Sequence, residues 1–260
     1  MRFDDVWERS LRALKSTAPI FRLDERGRHD LFGSGVFVRY HSRYFVASAG
    51  HVLAELSDGP LWIGGEDLIM MLAGPFFHTG QPGERTFDGE PFDVAFVPLS
   101  DDQVAALAGT DFVSLDDLIE PQPIEPGVEL YIVGFIAGDF KPVGPRQVVE
   151  TKGTVLGAVS APRDKYSVRG VSQETHLLLP FDRLKSYGPA GQAATPVLAG
   201  MSGCGVWSSR HDGDADRLVA ILTEHHQKDG KFIVSTRVET LIPGLAAYVA
   251  GKLTTKRTTS

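Results

Sequence analysis

An all-β fold is what this sequence predicts, on two observations. From Leu31 onward the chain runs in short apolar or alternating stretches broken by Gly, Pro and Asp. That is the pattern of many short strands, not of strands alternating with helices. A stretch from Asp116 to Val128, with Pro121, Pro123 and Pro126, splits these runs into two groups. A sandwich or barrel built in two halves is therefore expected.

The elements follow in order. Residues 3–14 place Phe3, Val6, Trp7, Leu11 and Leu14 at helical spacing, ahead of Pro19, and predict an amphipathic helix packed on the main body. Strands are expected at 32–40, 43–48, 61–64, 68–73, 94–99, 129–135, 147–159, 174–180, 204–208, 217–224 and 231–237. Val238, Leu241, Leu245 and Val249 predict a last helix from Glu239 to Gly251, before a basic tail. The expected organisation is a lead-in (1–28), a first β unit (29–120), a second (121–238) and a helical tail (239–260).

Composition narrows the class. With 260 residues, 42% of them hydrophobic, the chain can bury one large core or two medium ones. A net charge of −7 and a pI near 5.6 argue against a sequence-independent nucleic-acid binder. No run of about 18 apolar residues occurs, so no membrane span is expected. The charged start, Met1 to Arg9, lacks a signal peptide's apolar segment. One cysteine, Cys204, allows no intrachain disulfide, and a reducing, cytoplasmic setting is expected.

The most informative segment is Ala199-Gly-Met-Ser-Gly-Cys-Gly-Val206. A serine with glycines at −2, +1 and +3 can sit on a tight turn with its hydroxyl exposed, because glycine tolerates positive φ and close backbone approach. A nucleophilic serine needs such a turn, with N–H donors aimed where an oxyanion develops. Upstream, the stretch Gly33 to Leu53 carries Ala47-Ser-Ala-Gly-His51, and Phe92-Asp-Val-Ala-Phe-Val-Pro-Leu99 carries Asp93. His51, Asp93 and Ser202 thus occur in a chain order known for nucleophile, base and orienting acid. They are separated by 42 and 109 positions (51 to 93 and 93 to 202), enough to come from different loops. Asp88 is the alternative orienting acid.

Together these four motifs resemble the trypsin-like (chymotrypsin-fold) serine peptidases, especially the bacterial intracellular kind, over residues 30–245. The resemblance implies two antiparallel β-barrels with the site in the cleft between them, His51 and Asp93 from the first and Ser202 from the second. It implies an endopeptidase working through an acyl-enzyme: Ser202 attacks, His51 moves the proton, Asp93 orients His51. The oxyanion hole falls to the N–H groups of Gly200 and Ser202. Two positions depart from the family pattern. Met201 stands where digestive members carry an aspartate that pairs with a new N-terminus, so activation by N-terminal cleavage is not expected. Cys204 replaces a glycine and is read as a small apolar filler. The family's specificity pocket maps to Pro196 and to Leu222, Thr223, Glu224 and His225. With Pro196 six positions before the serine, an uncharged small or medium side chain is expected. Glu224 is the residue that would admit basic ones.

Other features carry less. Asp212-Gly-Asp-Ala-Asp216 lacks the glycine and glutamate of a calcium loop and reads as a turn. Glu224-His225-His226 has no further ligand at zinc spacing. Gly33-Ser-Gly35 is followed by a strand, not the helix of a phosphate loop. No cofactor, metal, nucleic acid or membrane partner is expected. A protein or peptide substrate is, and an activating protein partner stays open. The alternative from another class is a catalytically silent protease-like module that binds a peptide or partner. An esterase is a third reading, since it uses the same parts.

Overall fold

A computed structural model describes residues 10–65, 68–72, 74–78, 92–118, 124–137, 141–143, 148–150, 152–181, 186–188, 191–193, 197–208, 216–225 and 232–253. The expected all-β character is what it has. The first large sheet holds β1 (Thr17–Leu23), β2 (His29–Tyr40), β3 (Arg43–Ala49), β4 (Leu61–Gly64), β5 (Ile69–Leu72), β6 (Phe77–His78), β7 (Val94–Pro98) and β8 (Val113–Ser114). Its order is β5-β4-β1-β2-β3-β7-β6, antiparallel throughout except for β8, which runs parallel beside β2. Next come β9 (Glu129–Phe135) and the hairpin β10 (Lys141–Val143) and β11 (Val148–Glu150). They are followed by β12 (Gly153–Val159), β13 (His176–Pro180) and a second hairpin, β14 (Ser186–Gly188) with β15 (Gly191–Ala193). The last strands are β16 (Gly205–Ser208), β17 (Arg217–His225) and β18 (Phe232–Arg237). Six of these form the second antiparallel sheet, in the order β12-β9-β16-β17-β18-β13. The chain passes from one sheet to the other between Ser114 and Glu129, inside the proline-bearing stretch.

These strands read as nearly continuous apolar runs because both their faces are buried. In β2, β3 and β7, Val36, Val38, Phe45, Ala47, Val94 and Phe96 point into one core, while Phe37, Val46, Ala95 and Val97 point into another. In β9, Tyr131 and Val133 join the first of these cores, and Leu130 and Ile132 enter a third that belongs to the second sheet. One large core thus lies between the sheets, and each sheet packs a further core of its own. At about 1.5–3 kcal/mol per fully buried large side chain, the shared core is a strong contribution to holding the sheets together.

Five α-helices are described, α1 (10–15), α2 (Gly50–Ala54), α3 (Asp101–Ala106), α4 (Asp164–Arg169) and α5 (Ile242–Val249), with a 3-10 turn, Glu55–Ser57, after α2. Helix α3 carries a full capping box, in which Ser100 Oγ accepts from the Gln103 N–H and Gln103 Oε1 accepts from the Ser100 N–H. The predicted C-terminal helix is present as a 3-10 turn, Val238–Leu241, leading into α5. Its Leu241, Leu245 and Tyr248 return to the core between the sheets, with Tyr248 edge-on to Phe45. Of the predicted N-terminal helix, 3–14, residues 10–14 are described, and they are helical.

One boundary needs correcting. Residues 17–23, assigned to a lead-in, form β1 in the middle of the first sheet. Proline cannot donate to a ladder, so Pro19 is locally unfavourable in such a strand. Its register partner is Ser34, whose N–H and C=O are both engaged elsewhere, so Pro19 costs that pairing no hydrogen bond.

Candidate active site

His51 and Asp93 meet. Strand β3 ends at Ala49 and turns directly into α2, placing His51 in that helix's first turn. Asp93 stands one residue before β7, the neighbour of β3 in the sheet. His51 Nδ1 lies 2.6 Å from Asp93 Oδ2, and Asp93 Oδ1 accepts from the His51 main-chain N–H at 2.8 Å. The Gly50 N–H donates to the Asp93 carbonyl at 3.0 Å. An ionised carboxylate can only accept, so Nδ1 carries the proton and Nε2 is left as the basic nitrogen. The His51 side chain is 39% exposed and that of Asp93 20%: the imidazole reaches solvent and the carboxylate stands behind it.

The serine turn is fastened to the same elements. The Ser34 N–H in β2 donates to the Ser202 carbonyl at 2.8 Å. Gly203, at φ +89°, packs so closely on β2 and β3 that an added Cβ would lie 2.0 Å from Ser48 Oγ, 2.1 Å from Ser34 O and 3.0 Å from Ala49 N. Gly33 is wedged in the same way between Val52, the residue after His51, and the Ser202 carbonyl. The turn therefore abuts the segment that carries His51. Ser202 itself is half-buried, and its hydroxyl makes no hydrogen bond among the described residues, with His51 or any other.

The turn's backbone can be accounted for group by group. The carbonyls of Leu198, Ala199, Gly200, Met201 and Ser202 accept from Met201 N, Ala137 N, Ser34 Oγ, Cys204 N and Ser34 N respectively. The Gly203 N–H donates to Leu222 O at 2.7 Å. Between Gly200 and Cys204, only the N–H groups of Gly200 and Ser202 donate to nothing among the described residues. Gly200 sits at φ +90°, and a Cβ there would press on Phe135 O at 2.9 Å and Ala137 N at 3.0 Å, so both glycines are demanded by backbone.

Beneath the turn, Met201 and Cys204 are fully buried in the core of the second sheet. Burial pushes the Cys204 thiol far above its ordinary range, which suits a filler and not a nucleophile. Of the expected pocket residues, Leu222 is 1% exposed and packs in that same core, and the Thr223 hydroxyl donates to Val234 O at 3.3 Å. Leu222 thus offers no open surface to a substrate. Glu224 and His225 lie on β17, with side chains outside the described residues. Pro196, Asp88, His226 and most of the 212–216 turn lie outside them too. No cluster of metal-ligating side chains occurs among the described residues, and no described helix is long and apolar enough to cross a membrane.

Two participants escaped the sequence reading. Ser34 ties the turn down, yet Gly33-Ser34-Gly35 is weighed above as the start of a strand and against a phosphate loop, with no role for the Ser34 side chain. Phe92, stacked on His176 of β13 at 6.0 Å, packs the residue before Asp93 against the second sheet. Neither role leaves a signal in spacing, because both depend on how the sheets dock. The sequence matches no protein-family model and no curated protein.

Proposed function

We propose that this protein is a serine endopeptidase of the trypsin-like kind, with its two antiparallel sheets corresponding to the two barrels of that fold. One observation carries the reading: two undonated N–H groups, Gly200 and Ser202, on a turn otherwise tied down, beside an imidazole oriented by a carboxylate. That is a set of parts for acyl transfer. Ser202 Oγ attacks the scissile carbonyl, giving its proton to His51 Nε2, and the tetrahedral oxyanion is received by the two N–H groups. As the carbonyl re-forms, His51 returns the proton to the leaving amine, and water repeats the sequence on the acyl-serine. Asp93 keeps Nδ1 protonated throughout and stabilises the imidazolium.

The fluorophosphonate probe of serine hydrolases tests this. The purified full-length chain is expected to be labelled at Ser202, identified by peptide mass spectrometry, and to cleave an unfolded protein. Ser202→Ala is expected to do neither, with its melting temperature within about 2 °C of wild type, since the hydroxyl holds no partner among the described residues. The Ser202 hydroxyl, unbonded among the described residues, favours a second reading, a binding module without turnover. A wild-type chain that resists the probe and leaves peptides uncut selects that one.

A further inference from the structure

Ser34 lies 166 positions from Gly200 in sequence, on the other sheet, and is fully buried. It spends every polar group it has in one place. Its hydroxyl donates to the Gly200 carbonyl at 2.8 Å and accepts from the Phe135 N–H, at the end of β9, at 3.1 Å. Its N–H donates to the Ser202 carbonyl at 2.8 Å, and its own carbonyl accepts from Ser48 Oγ at 2.6 Å. The peptide units on either side of Met201-Ser202 are thus gripped by one residue of the first sheet.

We propose that Ser34 is the positioning residue of the oxyanion site. It fixes the Gly200–Met201 and Ser202–Gly203 peptide planes, which alternate with the two planes that carry the Gly200 and Ser202 N–H groups, so that those donors stay turned to a developing oxyanion. The proposal rests on the catalytic reading above and goes beyond it by naming what holds the hole open. The physical argument is orientation. Gly200 has φ +90°, and glycine also populates the mirror region readily, so the backbone of Gly200 does not by itself keep one orientation. A peptide plane that flips about Gly200–Met201 carries its carbonyl away and disturbs the neighbouring donor. The Ser34 hydroxyl bond opposes that flip from one side, and the Met201 N–H bond to Leu198 O at 3.0 Å opposes it from the other. Because Ser34 stands on β2 and also bonds to β9, the hole is complete only when the two sheets are docked. Substrate contact is not part of this role. Ser34 acts through the turn.

The test compares wild type with Ser34→Ala and Ser34→Cys, which is nearly isosteric and a weaker donor, in the full-length chain. Two readouts are taken: the rate of fluorophosphonate labelling across pH, and amide hydrogen exchange at Met201 and Gly203 by NMR, with Val46 as reference. Loss of a whole oxyanion donor costs roughly 10²–10³-fold. Ser34→Ala, one bond removed, is expected to slow labelling at least about tenfold, with Ser34→Cys between the two. The pH at half-maximal labelling is expected to stay put, since the His51–Asp93 pair is untouched. Met201 exchange is expected to quicken while Val46 exchange does not. Should the alanine chain be unstable, the cysteine chain is read in its place. Labelling at the wild-type rate with unchanged Met201 exchange overturns the proposal. A wild type that is never labelled removes the catalytic reading instead, and Met201 exchange alone then decides whether Ser34 holds the turn.

Discussion

Asp93 holds His51 at two points, the ring through Oδ2 at 2.6 Å and the main chain through Oδ1 at 2.8 Å. The second contact matters as much as the first. It ties the carboxylate to the start of α2, so the imidazole is oriented by a group that cannot swing away. A carboxylate that merely capped the helix would need only the main-chain bond. The ring contact is what argues for chemistry.

Asp93→Asn keeps the shape and still accepts the His51 main-chain N–H, but its amide disfavours the tautomer with Nδ1 protonated. Labelling rate and turnover are expected to fall on the order of 10³–10⁴-fold with the circular dichroism spectrum unchanged. An asparagine variant as active as wild type would remove Asp93 from the mechanism.

How much of this was legible in the sequence depends on which physics fixes each part. Strands β4 and β9 fall where the apolar runs put them, and β3 and β7 differ by a residue at one end. Both faces of these strands are buried, so their boundaries are set by polar residues. Strand β1 was not legible, because Pro19 argues locally against it and only the register opposite Ser34 makes proline harmless. Helices α2, α3 and α4, of five or six residues, are too short to show a period. At the site, His51 and Asp93 are brought together, but the hold of Ser34 on Gly200 joins positions that no local pattern relates. Leu222, expected as one wall of the pocket, lies in the core instead for a similar reason. A residue on β17 can face the cleft or the core, and a register shift between Leu222 and Glu224 moves the alternation.

Gly203→Ala tests the fit of the turn to β2 and β3. The new Cβ would lie 2.0–2.1 Å from two oxygens, at a φ of +89°, and neither Ser34 O nor the backbone at Ala49 can yield. Left-handed strain of about 1–2 kcal/mol adds to overpacking of about 1–3 kcal/mol. A loss of roughly 2–5 kcal/mol is expected in urea denaturation, with failure to fold at the upper end. A variant within 0.5 kcal/mol of wild type would mean the turn is not seated on Ser48.

Cys204 should be chemically silent until the chain unfolds. Burial raises its thiol pKa in the folded state above the ordinary value of 9.0. Maleimide at pH 8 is expected to leave the native protein unmodified and to label the urea-unfolded chain fully. The sign for stability follows from the raised value. The contribution of the neutral buried thiol is complete below pH 9 and is lost as pH rises past it, because only the unfolded thiol ionises there. Above pH 9, wild type is expected to lose up to about 1.4 kcal/mol per pH unit more than Cys204→Ala. Parallel pH curves for the two proteins would contradict this.

The last prediction concerns what secures α5. Arg237, at the end of β18, and Glu239, two residues on, are among the few charged side chains buried in the described chain, 3% and 9% exposed. Arg237 Nη2 and Arg217 Nη2 approach the same Glu239 oxygen, at 2.9 and 3.3 Å. A buried pair need not favour folding over an apolar replacement, but removing one member leaves the other's charge under-compensated, at a cost of about 3–5 kcal/mol. Glu239→Gln is therefore expected to destabilise by that order in urea denaturation. Arg237→Met combined with Glu239→Leu is expected to recover part of the loss, since it removes the closer pair while Arg217 keeps its charge beside the replaced carboxylate. Because α5 starts three residues after Glu239 and seats Leu245 and Tyr248 in the core between the sheets, the same substitution should speed amide exchange in α5 more than in β9. Equal exchange in the two elements, or a Glu239→Gln chain as stable as wild type, would show that the helix is held by its apolar face alone.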